Sequence, residues 1–129
     1  MTTEQETRPR AAARPARWAA DTVVTMREGA RLRLDYSASS LWCVDRMIDD
    51  LRREGTPRAA VESVLRGFGA YAGEVIVRQA GAEWWTADGE HRIRTADGQL
   101  WDPIDEAHRR FAGDGSLRLL CRDATAGTP

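Results

Sequence analysis

The sequence predicts an α+β fold in one domain: a β-hairpin, two helices, a three-stranded antiparallel meander and two C-terminal helices. Three observations predict it. Apolar residues recur at helical spacing through two long stretches, residues 41–51 and 61–76. Two Asp-Gly pairs, Asp88-Gly89 and Asp97-Gly98, separate three short strand-like runs, and both positions of such a turn tolerate positive φ. The strand signals are clustered instead of alternating with helices, which favours an antiparallel sheet over a doubly wound parallel one.

Residues 1–20 are dominated by Arg, Pro, Ala and Thr, with Trp18 the only large apolar side chain after Met1. Such a segment buries too little to offset its ordering entropy, so it reads as a disordered tail. The domain then spans residues 21–124. Thr22-Val23-Val24-Thr25-Met26 is β-branched, Arg27-Glu28-Gly29 can turn, and residues 31–35 alternate, which predicts a hairpin with Leu32 and Leu34 inward. Ser37 is a candidate N-cap for the helix that presents Leu41, Val44, Met47, Ile48 and Leu51 on one side and stops at Gly55. Thr56-Pro57 starts the next helix, whose apolar face runs from Val61 to Ile76. Gly67, Gly69 and Gly73 lie inside it, each costing on the order of 1 kcal/mol against Ala. Close approach of another element at Gly69 and Gly73 would offset that cost. Strands follow over residues 83–87, 91–95 and 99–101. Asp102-Pro103 opens a helix with Ile104, Ala107 and Phe111 inward, and Ser116 can cap a last short helix with Leu117, Leu120 and Cys121, where a strand is the alternative. Residues 125–129 read as a second tail.

Charge narrows the function classes. The formal net charge is -1, so the basic excess of a dedicated nucleic-acid binder is missing. All the basic residues are Arg, and the chain has neither Lys nor Asn, a pattern of GC-rich coding that weakens any reading of Arg as selected for phosphate. No apolar run approaches the roughly 18 residues of a spanning helix. With no signal-peptide pattern, the cytoplasm is expected, and Cys43 and Cys121 are expected as buried thiols.

The stretch Leu34-Asp35-Tyr36-Ser37, Ser40-Leu41 and Val44-Asp45 resembles the opening of a family of small actinobacterial (Streptomyces-like) proteins of uncharacterised function. The likeness continues through Gly69-Ala70-Tyr71-Ala72-Gly73-Glu74-Val75-Ile76-Val77-Arg78, then Gly81, Trp84, Trp101-Asp102-Pro103, Phe111 and Ser116-Leu117. It covers about residues 32–122, and Gly-Ala-Tyr-x-Gly-Glu-Val is its most specific part. The resemblance implies a shared domain and no activity.

Two groups of residues are candidates for a site. Tyr71, Glu74 and Arg78 sit at helical spacing, with Glu74 and Arg78 in the favourable i,i+4 order, and could form a polar cluster around an anionic ligand. A structural ion pair is the plainer reading of the same spacing. Trp84 and Trp85 must point to opposite sides of their strand, so one packs inward with Trp101 and the other can join Arg92 and Arg94 on a binding surface. Asp45, Asp49 and Asp50 could hold a hard cation, but Arg46 and Arg53 at i,i+4 favour a solvated charged face. His91 is expected exposed beside a turn, and His108 at a core margin with a local hydrogen bond. Neither has metal-ligand spacing. No cofactor motif is present, and no metal site is expected.

The sequence therefore favours a non-catalytic interaction or accessory module, an adaptor or an immunity-type inhibitor, acting through Trp85, Arg92 and Arg94 on an unknown protein partner, with self-association open. The alternative is a small-molecule-binding domain or small enzyme with a pocket around Glu74, Tyr71 and Arg78, with His108 as an auxiliary.

Overall fold

The computed structural model describes the backbone of residues 3–126 and the side chains of residues 13–126. The elements run α1 (Thr3–Gly29), α2 (Ser40–Arg53), α3 (Arg58–Ala80), β1 (Glu83–Ala87), β2 (Glu90–Arg94), β3 (Leu100–Trp101), α4 (Pro103–Phe111) and α5 (Leu117–Thr125). This is an α+β arrangement with an antiparallel meander in the order β1-β2-β3. The turn at Asp88-Gly89 takes φ 54 and 78, which lets Ala87 pair directly with Glu90.

Helix α3 is the axis. Its buried face carries Val61, Leu65, Phe68, Tyr71, Ala72, Val75 and Ile76, and its glycines admit neighbours that a side chain would exclude. A Cβ on Gly69 would overlap the backbone of Ile104 at the start of α4, and one on Gly73 would overlap the indole of Trp84 from β1. On the other side, a Cβ on Gly67 would strike Thr22 of α1. The helix-propensity cost of each glycine is thus exchanged for close packing of a different element.

The hairpin expected over residues 22–35 does not form, and the expected tail over residues 1–20 is helical from Thr3 onward. Pro15 and Ala19 are buried in α1, while Trp18, Val23 and Met26 pack against the core. Those positions form one helical stripe, which a boundary at residue 20 cuts in two. The β-branched Thr22 is accommodated because its hydroxyl donates to the Trp18 carbonyl at 2.9 Å while its side chain faces Gly67. Tertiary packing has overridden a weak strand preference. Past α1, Leu34 is buried and Leu32 half-buried, but their segment is extended without a partner strand. At the other end, α5 continues through Thr125, and residues 127–129 of the expected tail lie outside the described residues.

Helix starts follow their chemistry. Asp102 accepts from the Asp105 N–H at 3.0 Å with Pro103 as the first residue of α4, and Ser116 accepts from the Leu119 N–H at 3.1 Å, which makes residues 117–125 helical. The Ser37 hydroxyl accepts the Ser40 N–H at 3.2 Å, so it holds the entry to α2 from three residues ahead.

Asp45 is not on a solvated face. It is buried, and its carboxylate accepts the Ser116 hydroxyl at 2.7 Å and the Leu117 and Arg118 N–H groups at 2.9 and 3.3 Å. It thereby supplies negative charge to the N-terminus of α5 from α2. Asp49 makes a two-pronged pair with Arg110 of α4 at 2.9 and 2.7 Å, and Arg53 reaches Asp50 instead of Asp49. Among the described residues no acidic or His/Cys group is arranged to hold a metal. Cys43 is exposed, not buried, because the inward stripe of α2 passes through Leu41, Val44 and Ile48 and leaves position 43 outside.

Two stability outcomes follow. Gly→Ala inside a helix ordinarily stabilises by about 1 kcal/mol. Gly69→Ala should instead destabilise by about 2 kcal/mol, since the added methyl meets fixed backbone. A higher urea midpoint for that variant would contradict the packing. Asp45→Ala should cost about 2–4 kcal/mol by the same measurement, because it orphans buried donors on α5.

Candidate functional site

Tyr71, Glu74 and Arg78 do not converge. Tyr71 is fully buried. Its hydroxyl accepts the Tyr36 N–H at 2.8 Å and lies 2.6 Å from the Ser40 hydroxyl, which itself donates to the Ser37 carbonyl at 2.6 Å. Tyr71 is therefore the donor to Ser40, and its hydrogen-bonding capacity is spent on pinning residues 36–40. Burial pushes its phenol above the usual range. Glu74 accepts the indole N–H of Trp84 at 2.9 Å, the same ring that fills the space at Gly73. Arg78 lies with its guanidinium 3.5 Å from the centroid of the Tyr36 ring. Among the described residues no ion pair joins Glu74 to Arg78, so the plainer i,i+4 pair is not formed. Each side chain is taken by a partner distant in sequence.

The meander has two different faces. Register places Trp84, Thr86, His91, Ile93 and Trp101 on the side that meets the helices. Trp84 and Ile93 are buried there. Glu83, Trp85, Arg92, Arg94 and Leu100 share the opposite side. Trp85 is 40% exposed and Leu100 47%, on either side of Arg94. The guanidinium of Arg94 stacks 4.4 Å from the Trp85 ring and is held by Glu83 at 2.6 Å. Arg92 is held by Glu90 at 2.6 Å and reaches Asp102 at 3.6 Å. Exposed ion pairs of this kind add little stability, but they fix the orientation of the two guanidiniums.

A third region has no counterpart in the sequence reading. An open groove of about 600 Å³ lies between α1, α3, the β1–β2 turn and the start of α4, and both histidines of the chain line it. His91 is half-buried, with Nδ1 2.9 Å from the hydroxyl of its cross-strand partner Thr86 and its ring edge-on to Trp18 at 5.2 Å. His108 Nδ1 lies 2.9 Å from the Ile104 carbonyl, an acceptor, so that nitrogen carries the proton and Nε2 is left open. Arg66 stacks on Trp18 at 4.3 Å, and Arg14 and Arg58 line the groove together with the carboxylates Glu62, Glu90, Asp102 and Asp105. The site escapes sequence reasoning because Arg14 and Trp18 fall within a segment whose composition reads as a tail. The stripe from Pro15 to Met26 is the signal that could have revealed it.

Burial, and secondarily the Arg14 charge, lower the His91 pKa from 6.5. The unfolded chain then binds this proton more readily than the native one. Its contribution to stability is therefore complete above about pH 6.5 and falls as pH drops below that value. Chemical denaturation across pH 5–8 should show a decline on the acid side that His91→Gln reduces. Tyr71→Phe should destabilise at all these pH values by about 1–3 kcal/mol.

Among the described residues no helix is long and apolar enough to cross a membrane. Comparison with protein-family models, with curated proteins and with solved structures finds no match to this chain.

Proposed function

We propose that this chain is a non-catalytic interaction module that binds a protein partner through the open face of its meander. The observation that carries the reading is the exposure of Trp85 and Leu100 on a sheet side that is otherwise charged. The solvent side of an antiparallel sheet is ordinarily polar, and an exposed aromatic flanked by oriented Arg is a common binding hot spot. The partner suited to it presents an apolar side chain to cover Trp85 and Leu100, with carboxylates at its edge to share Arg92 and Arg94. A cytoplasmic setting belongs to the same proposal and is supported by the exposed free thiol of Cys43, which a reducing compartment preserves. Kinship with the small actinobacterial proteins is likewise proposed on the residues from Gly69 to Arg78.

The test compares the native chain with Trp85→Ala/Leu100→Ser, both purified gently from the natural host and examined by native mass spectrometry. The expected result is a polypeptide bound to the native chain in fixed stoichiometry and lost from a variant that melts at the same temperature. Retention of every partner by the variant would refute this surface. A native dimer abolished by the two substitutions would replace the foreign partner with a second copy.

A further inference from the structure

The groove between α1, α3 and α4 adjoins the sheet face just described at Glu90 and Asp102 but contains neither Trp85 nor Leu100. Its lining combines side chains from four elements. Arg14 comes from α1, Arg58 and Arg66 from α3, His91 from β2 and His108 from α4. Among the described residues none of these three guanidiniums has a carboxylate within ion-pair distance, a state they share with Arg46 and Arg78, while Arg92, Arg94, Arg109 and Arg110 are paired to acids. The groove also contains carboxylates. Two of them are committed: Glu90 is held by Arg92, and Asp102 caps α4 and faces Arg92. Glu62 and Asp105 remain, so three guanidiniums face two unengaged acids and two imidazoles. The volume, about 600 Å³, is that of sites for small organic ligands.

We propose that this groove binds a small phosphate monoester that also carries hydroxyl donors. A phosphate offers three terminal oxygens to planar guanidiniums, where a carboxylate offers two, and three guanidiniums line this groove. Hydroxyl groups on the same ligand would donate to Glu62 and Asp105, which a bare anion would leave facing it unfavourably. Trp18, fixed by Arg66 on its ring and His91 at its edge, forms the wall against which the carbon skeleton lies.

Ribose 5-phosphate and inorganic phosphate serve as probes, titrated into the full chain while the indole resonance of Trp18 and the ring resonances of His91 and His108 are followed by NMR. Saturable shifts of all three are expected with ribose 5-phosphate, which should bind about tenfold more tightly than inorganic phosphate. Arg58→Gln and Arg14→Gln, both at exposed positions, should each weaken it by about tenfold. Trp85→Ala should leave it unchanged, which separates this site from the sheet face. No saturable shift with either probe would overturn the proposal. So would equal affinity for the two probes, or binding indifferent to Arg58→Gln and Arg14→Gln in variants that keep the native melting temperature.

Discussion

The arrangement rests on α3 being bare at the points where its neighbours press closest. Gly69 and Gly73 lie one turn apart and receive the α4 backbone and the Trp84 ring, while Gly67 receives α1 on another side. Because these contacts are to fixed backbone or a large rigid ring, they set distances as well as directions. The sheet can lie only where Trp84 reaches Gly73, and α4 only where Ile104 reaches Gly69. A helix with alanines there would be better as an isolated helix and worse as a scaffold.

Polar side chains then fix what the glycines bring near. Asp45 joins α2 to the first turn of α5, Asp49 joins α2 to Arg110, and Tyr71 joins α3 to the turn ahead of α2. Each link is between residues far apart in the chain, and no buried side-chain polar atom among the described residues is left without a partner. Fully satisfied buried networks of this kind specify one arrangement over its competitors. They also explain why carboxylates and a phenol that resemble site residues have structural duties.

What was legible followed from local chemistry. The meander, its Asp88-Gly89 turn, the Asp102-Pro103 helix start and the inward stripe of α2 all depend on residues within a few positions of one another. What was not legible depended on distant partners. Thr22 and Val23 look like strand residues until Gly67 offers a seat for a helix. Glu74 and Arg78 look like a pair until Trp84 and Tyr36 claim them separately. Of the candidate residues, Trp85, Arg92 and Arg94 share one side by strand register, whereas alternation within a strand separates only Trp84 from Trp85. The groove required knowing that Trp18 is seated, which depends on residues more than forty positions away.

The seating of α1 has a consequence for how the chain acquires its form. The helix is synthesised before the segments that cover it, and its contacts at Gly67 and His91 emerge from the ribosome much later. Until then its stripe of Pro15, Trp18, Ala19, Val23 and Met26 has nothing to cover it. Contacts between segments so far apart form only after the loop between them has closed, so the packing of α1 follows the formation of its own helical hydrogen bonds. During that interval the stripe is open to capture by another apolar surface.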